Sequence, residues 1–455
     1  MLIVPPSSPE IVRGRSAAHP LLLRGPRLPD GRIADVLVAS GVIVSVGDDP
    51  AGHPPRLDAL DLRGYLLLPS LVEPHAHLRL TGVTTGTSEA SGRPTAGHDR
   101  WVAVPSGPAP TDITTLAWNR AARYLAAGTT AIRVHVGVGQ ESGLRAVENL
   151  LEVRSGLAGI LDIQIVATVS APLTGLAGAT SRAMLKQALA AGADLAGTEP
   201  GLADETGRAV EVLADLAANA AAGLDLHIGE TADLAPGSLG RLVEIARAGF
   251  GYPLTISHVA RLRTKRKEYR RTMRSLANGR IGVVVVPRSA PSRPGGAVAS
   301  VDPGAPAVVR ELLEAGVPIA AGGDSSRQPP DSEHADPLGT ASDLVAARLT
   351  PAEAMTAISA GGRQIMRLPS VAVVPGSPAD LVAIRAPDLW EAVTARPTDR
   401  IVLRGGRVVA LNIAIADPAR QERAMVMSGW NLSRAVAAGL DRQGITLARA
   451  GEAPE

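Results

Sequence analysis

The chain has 455 residues, of which 45% are hydrophobic, so it can bury more than one substantial core and is not a disordered protein. Its 46 basic and 44 acidic residues leave a formal net charge of +2, which excludes a strong general attraction to nucleic acid or to a membrane surface. It has no cysteine, so disulfides are excluded as a source of stability.

The N-terminal segment predicts no export signal. Residues 1–16 lack the apolar core of a secretory signal, and no apolar run in the chain reaches transmembrane length. We therefore expect a cytoplasmic protein.

The two ends of the chain carry short β-rich segments. Residues 18–68 predict strands separated by turns, with Pro-Asp-Gly at 29–31 as one turn signal. The same pattern returns at 370–386 and 399–412. We expect residues 1–65 and 369–418 to form one small composite β-sandwich, and residues 419–455 to form a helical tail.

Between these ends, apolar strand-like segments alternate with helical stretches rich in alanine and leucine. Eight such alternations predict an α/β fold with a (β/α)₈ TIM-type barrel over residues 66–368. A longer gap at 78–128 predicts an active-site loop before a helix at about 112–127. The eight predicted strands are 66–77, 129–138, 161–170, 193–200, 223–230, 253–260, 279–289 and 317–326.

Polar side chains stand at the ends of four of these strands. In such a barrel the catalytic groups lie at the carboxyl ends of the strands. His75 and His77 flank one alanine, and alternate residues of a strand point to the same side. The later strands contribute His227 and Glu230 (fifth), His258 (sixth) and Asp324 (eighth).

Three imidazoles and one carboxylate, with an open position for water, form a ligand set suited to Zn²⁺ or Fe²⁺. Such an ion lowers the pKa of bound water toward neutrality and supplies hydroxide. A carboxylate at Glu230 could take the proton from that water. His258 is better placed to hold the hydroxide or polarise the substrate than to be a fifth ligand.

Each residue taken alone has a structural alternative. His258 could be an ordinary strand-end histidine, and Asp324 could cap a helix after two glycines. Taken together, these residues favour a metal site, because a purely structural explanation would need a separate reason for each of them.

The motifs EPHAHL (73–78), HIGE (227–230), ISHVARL (256–262) and GGDSS (322–326), in this order, resemble those of the amidohydrolase superfamily, and most of all its cytosine deaminase branch. The similarity runs from about 60 to 385. It implies a barrel with a composite β-sandwich and one divalent metal ion per chain. The resemblance implies four metal ligands, His75, His77, His227 and Asp324, and a catalytic role for Asp324 as well. It further implies that Glu230 is the proton shuttle and that His258 polarises the substrate as an electrophilic aid.

The chain departs from this branch where cytosine deaminases read the pyrimidine. Ser170 stands where they place a glutamine, and Ser325 stands where they place a second aspartate. Both serines are predicted to contact substrate. Because buried hydrogen-bond partners discriminate sharply between analogues, we expect cytosine to be a poor substrate.

Three further residues could face the pocket as substrate contacts or, equally, form salt bridges inside the barrel. They are Arg133, His135 and Arg288. In the basic run at 261–274, aromatic residues do not alternate with the basic ones as they do in segments that bind nucleic acid. The run therefore predicts the solvated face of a helix.

The sequence thus predicts a metal-dependent amidohydrolase that attacks a C–N bond with metal-activated hydroxide, by deaminating an amino-substituted heterocycle. Two alternatives stay open: hydrolysis of a cyclic amide or ureide on the same site, and a non-catalytic binding barrel. The expected partner is a small-molecule substrate, without nucleic acid or membrane, and a homo-oligomer is left open.

Overall fold

The architecture is taken from a computed structural model of the chain. Within the described residues, no helix combines the length and apolarity needed to cross a bilayer. The described residues are 20–47, 57–77, 113–139, 143–169, 172–198, 206–228, 236–259, 266–287, 305–324, 335–412, 425–426 and 447–448.

The first four strands form a sheet in the order β3-β2-β1-β4. Strands β1 and β2 pair antiparallel, as do β2 and β3, whereas β4 lies parallel to β1. The predicted turn at 29–31 lies between the first two strands, and Gly31 adopts the positive φ (88°) that glycine tolerates best. The strands are β1 (Leu21–Arg24), β2 (Asp35–Ala39), β3 (Val42–Gly47) and β4 (Asp58–Asp61).

The middle of the chain forms eight parallel strands that pair in sequence order. Their residues are buried almost without interruption, as expected for parallel strands covered on both faces. The two end strands of this sheet also contact each other, so the sheet closes into a barrel and the fold prediction is confirmed. The strands are β6 (Leu71–Ala76), β7 (Thr129–Gly137), β8 (Asp162–Val169), β9 (Leu195–Thr198), β10 (Gly223–His227), β11 (Leu254–Ser257), β12 (Gly282–Val285) and β13 (Ile319–Ala321).

Helices follow the barrel strands and cover the outside of the barrel. The first begins and ends within one residue of its predicted bounds, 112–127. In the predicted basic run, Arg271 and Arg274 are exposed while Met273 is buried, which is the pattern of a solvated helix face. The helices are α1 (Ile113–Ala126), α2 (Arg145–Gly156), α3 (Ala179–Ala191), α4 (Thr206–Asn219), α5 (Pro236–Arg247), α6 (Arg266–Asn278), α7 (Ala305–Glu314), α8 (Pro337–Ala346), α9 (Pro351–Ala357), α10 (Ala360–Ile365) and α11 (Leu389–Ala395).

A second four-stranded sheet, in the order β16-β15-β14-β5, combines one early strand with three late ones. It shares a core with the N-terminal sheet, in which Leu23, Leu67 and Leu403 are fully buried. The predicted composite sandwich is therefore present. Its strands are β5 (Leu66–Pro69), β14 (Leu381–Ile384), β15 (Arg400–Arg404) and β16 (Arg407–Asn412).

The segment 66–77, predicted as one barrel strand, is divided at Ser70 between the two parts of the fold. Its first half is β5 of the sandwich, and only its second half, β6, enters the barrel. The Ser70 hydroxyl lies 2.6 Å from Thr130 Oγ1 and accepts a hydrogen bond from the buried Arg363. This buried polar group marks the point where the chain changes sheets.

The predicted helical tail, 419–455, lies mostly outside the described residues. The four residues described there are β17 (Met425–Val426) and β18 (Leu447–Ala448), which pair as two short parallel strands.

Candidate metal centre

All five histidines in the described part of the chain come together at the carboxyl ends of the barrel strands. Four of them are at most 3% exposed, and the fifth, His258, is partly buried. The ring centroids of His75 and its neighbours are 4.3–5.0 Å apart. The cluster consists of His75, His77, His135, His227 and His258.

Strand geometry explains why these side chains point inward. Each parallel strand turns every second residue toward the barrel axis. In β10, Asp225 and His227 share that face, and in β7 Arg133 and His135 do the same. The polar interior is therefore built in layers, with imidazoles nearest the carboxyl ends.

Three nitrogen atoms and one carboxylate converge on a single point. His75 Nε2 lies 3.3 Å from His77 Nε2 and 3.2 Å from His258 Nε2. The Asp324 carboxylate lies 3.4 Å from His77 Nε2 and 3.9 Å from His258 Nε2.

These distances fit a metal ion. Two ligand nitrogens, each about 2.1 Å from one zinc ion in tetrahedral arrangement, lie about 3.4 Å apart. One ring nitrogen carries either one proton or one lone pair, so His75 Nε2 cannot satisfy two neighbouring imidazole nitrogens by hydrogen bonds alone. A cation at the centre would satisfy all of these donors, and nitrogen with carboxylate is a donor set that Zn²⁺ and Fe²⁺ accept.

The donor atoms form two overlapping groups. Those of His75, His258 and Asp324 lie within 4.8 Å of one another, and so do those of His75, His135 and His227. The structure thus brings the predicted ligands into one cluster and adds His258 and His135, which had been assigned other roles. The division of these residues between metal and substrate stays a prediction.

His258 and Asp324 share an unusual backbone conformation. Their φ angles are +62° and +44°, in the left-handed region that side chains other than glycine seldom adopt. Such conformations cost about 1–3 kcal/mol and persist where the surrounding structure enforces them. At both residues the chain leaves its strand in this conformation just as the side chain joins the cluster.

Arg133 is fully buried below the imidazoles and has protein partners on several elements. Its guanidinium donates to Asp225 Oδ2 (2.7 Å), Thr255 Oγ1 (3.0 Å), Gln164 Oε1 and the Ile365 carbonyl. These contacts match the predicted alternative of a salt bridge inside the barrel.

His135 lies between this ion pair and the metal cluster. Its Nε2 is 3.8 Å from Asp225 Oδ2, and neither ring nitrogen has a hydrogen-bond partner among the described residues. The ring packs on His75 and His227 at 4.3 and 4.7 Å between centroids. The ring of His135 therefore lies against the other histidines of the cluster.

Two buried carboxylates, Glu73 and Asp225, are not among the site residues that the sequence predicts. Each stands two residues before a predicted metal ligand, as Arg133 stands two residues before His135. This period of two is the signal that could have found them, because a residue two positions earlier faces the same interior.

Four predicted site residues lie outside the described part of the chain, so their roles stay predictions. They are Glu230, Ser170, Ser325 and Arg288.

Burial shifts the protonation of the cluster. It lowers the pKa of His135 and His227 well below 6.5, and the neighbouring imidazoles lower both further. The neutral rings that result have lone pairs for a metal. Burial also raises the pKa of Glu73 to about 8, although the N–H groups of His75 and Gly323 lower it. Burial likewise raises the pKa of Asp225, although Arg133 lowers it.

The lowered pKa of His227 predicts a pH-dependent stability. In the unfolded chain this imidazole takes up a proton below about pH 6.5, whereas in the folded metal-free protein it stays neutral. Falling pH therefore favours unfolding, by up to about 1.4 kcal/mol per pH unit for this group. We expect chelator-treated wild type to lose about 1 kcal/mol relative to His227→Gln between pH 6.5 and 5.5, measured by urea unfolding, because the unfolded imidazole is only half protonated at pH 6.5. Parallel curves for the two proteins would contradict the shift.

The comparisons with known proteins agree with this geometry. No protein-family model matches the chain. The structure resembles N-isopropylammelide isopropylaminohydrolase from Burkholderia multivorans, with a TM-score of 0.72, 29% identity, and coverage of 87% of this chain and 99% of that one. It shares the fold of 5-methylcytosine deaminase from Klebsiella pneumoniae, with a TM-score of 0.70, 23% identity, and coverage of 87% and 100%.

One curated relative matches over a short stretch. A dihydroorotase from Mycobacterium tuberculosis is 38% identical over 78 residues, which is 16% of this chain and 18% of that protein.

The barrel, its sandwich and the imidazole–carboxylate cluster define a hydrolase barrel with a metal site at the carboxyl ends of its strands. The chain resembles members of the amidohydrolase superfamily, as its motifs predict: its structure is similar to that of an isopropylaminohydrolase and shares the fold of a deaminase.

Proposed function

We propose that the protein is a metal-dependent amidohydrolase that deaminates an amino-substituted heterocycle. It is a hydrolase acting on carbon–nitrogen bonds other than peptide bonds. The observation that carries the proposal is the convergence of His75 Nε2, His77 Nε2, His258 Nε2 and the Asp324 carboxylate on one point at the mouth of the barrel.

One divalent ion, Zn²⁺ or Fe²⁺, is proposed in this cluster, held by His75, His77, His227 and Asp324, of which His227 shares a donor group with His75. When bound, the ion supplies Lewis acidity and lowers the pKa of a water toward neutrality. Burial keeps His227 neutral and so able to offer a lone pair. His258, the partly buried member of the cluster, is proposed to polarise the substrate, and Glu230 is proposed to carry the proton to the leaving nitrogen.

Two structural neighbours support deamination. One is named as an isopropylaminohydrolase and the other as a 5-methylcytosine deaminase. Ser170 and Ser325, in place of the residues that read cytosine, are the reason that we propose a different ring, with cytosine itself a poor substrate.

The short dihydroorotase match favours a second candidate, hydrolysis of a cyclic amide or ureide on the same site. Both reactions need the same metal and the same proton transfer. They differ in product, because deamination releases ammonia or an amine whereas ureide hydrolysis opens the ring.

One experiment tests the proposal and separates the two reactions. Purified protein is analysed for zinc and iron, then incubated with N-isopropylammelide, 5-methylcytosine, cytosine and dihydroorotate. We expect about one ion per chain and amine release from an amino-substituted ring, with at least about a 10³-fold loss of kcat in Glu230→Gln. Ring-opened products by mass spectrometry would favour the second candidate, and protein without metal or turnover would favour a binding barrel.

We propose a small-molecule substrate as the partner, and neither nucleic acid nor membrane. The proposed location is the cytoplasm. We propose no particular oligomeric state. The near-balanced charge, formal net +2, supports the absence of a polyanionic partner.

A further inference from the structure

The barrel closes between its first and last strands, β6 and β13, which are the two ends of the eight-stranded order. The closure is tight at Gly322. A Cβ atom at this position would lie 2.7 Å from His75 Cβ and 2.8 Å from Glu73 Oε1, which is closer than real side chains approach. The last strand can therefore reach the first only because residue 322 has no side chain.

Glu73 joins these two strands with its side chain. The carboxylate accepts hydrogen bonds from the Gly323 N–H at 3.0 and 3.2 Å, and from the His75 N–H at 2.9 Å. The residue is 1% exposed, so water does not compete for these bonds. Burying a carboxylate is costly unless its oxygens are satisfied, and here two backbone N–H groups on different strands satisfy them.

The two N–H groups belong to the backbone on which the metal cluster is built. His75 is itself a cluster member, and Gly323 immediately precedes Asp324, whose backbone is in the left-handed conformation with φ +44°. Fixing the Gly323 amide helps to fix the direction in which the chain leaves β13. A conformation of this kind persists only when its surroundings enforce it.

We propose that Glu73 is a positioning residue that holds the Asp324 carboxylate in register with His75, and thereby preorganises the metal site. The inference rests on the metal site of the proposed function. Glu73 touches neither substrate nor cluster nitrogen in this role. It acts through two backbone amides, and its loss should weaken metal binding while leaving the ligand residues present.

The test measures Zn²⁺ affinity of the full chain by competition with a chromogenic chelator. Glu73→Gln keeps the size of the side chain but places an NH2 group, a donor, where Oε2 accepts from the Gly323 N–H at 3.0 Å, so two donors face each other and the Gly323 amide is displaced. We expect Zn²⁺ to bind about 10–100-fold more weakly, the range found when groups that orient metal ligands are replaced. Glu73→Asp keeps the carboxyl group but is one methylene shorter, and should show an intermediate loss.

Thr130→Val is the matched control. It removes a buried polar contact at the other end of the barrel, where Thr130 Oγ1 meets Ser70 and Arg363. We expect it to lower the unfolding temperature with wild-type Zn²⁺ affinity, which separates positioning from general destabilisation. If Glu73→Gln does not fold, Gly322→Ala tests the same closure, because its Cβ would push β13 away from Glu73 and should also weaken Zn²⁺ binding.

Two outcomes overturn the proposal and are distinguishable. Zn²⁺ bound equally tightly by wild type, Glu73→Gln and Gly322→Ala would refute the role of Glu73 while leaving the metal site intact. Wild type that binds no Zn²⁺ at micromolar concentration would refute the proposed function itself, and the positioning role with it.

Discussion

Replacing His75 by alanine should abolish both metal binding and hydrolysis. Its Nε2 lies within 3.3 Å of the Nε2 atoms of His77 and His258, and it belongs to both donor groups of the cluster. Removing the imidazole of His75 therefore takes one donor from each of the two groups. We expect metal content far below one ion per chain, by elemental analysis, and a loss in kcat/KM of at least about 10³-fold. That loss corresponds to about 4 kcal/mol of transition-state stabilisation.

Tyr65→Phe serves as a control for this variant. It removes the hydroxyl that donates to Asp399 at 2.7 Å, in the sandwich, and so disturbs a buried polar contact away from the cluster. Metal content and kcat/KM should be unchanged in it. Hydrolysis by His75→Ala at near wild-type rates would show that the cluster is not the reaction centre.

Replacing Arg133 by leucine should destabilise the folded protein by about 3–5 kcal/mol, the range for breaking a buried ion pair from one side. Asp225 is fully buried, and Arg133 supplies its charge partner at 2.7 Å. Without the guanidinium, burial raises the pKa of Asp225 without opposition, and the carboxyl takes up a proton on folding. The deficit should therefore shrink as pH falls, because protonation removes the unpaired charge.

The double variant Arg133→Leu/Asp225→Leu separates the charge effect from a packing defect. Removing both partners of a buried pair is often nearly neutral, so we expect it to recover most of the lost stability in urea unfolding. A double variant less stable than Arg133→Leu would contradict this account and indicate that the polar layer as a whole is required. Since Asp225 stands two residues before His227, metal affinity in these variants would also report whether the layer supports the cluster.

The strained, left-handed backbone at His258 and Asp324 is consistent with the proposed metal-binding role of the cluster. Two residues that are far apart in the chain both adopt left-handed backbone where they deliver a side chain to the same point. The free energy this costs must come from packing elsewhere, and the extensive barrel core is the available source. A site held this way is already organised before a ligand arrives.

Much of the fold was predictable because its signals are local. The alternation of apolar strands with helices identified the eight-stranded barrel, and the bounds of α1 were predicted within one residue. The error at 66–77 arose because Pro69 and Ser70 interrupt the apolar run only briefly, and this local signal does not show that the two halves belong to different sheets. Only the pairing of β5 with β14, more than 300 residues later, separates the two strands.

The sequence by itself determined which residue types stand at the strand ends, and hence a histidine-rich centre with Asp324 on the last strand. Only the tertiary structure decided how close these side chains lie, that His135 and His258 join them, that Arg133 pairs with Asp225, and that Glu73 closes the barrel beside Asp324. The physical reason is that periodicity along a strand specifies which way a side chain points, whereas the atoms it meets depend on how strands distant in the chain pack side by side.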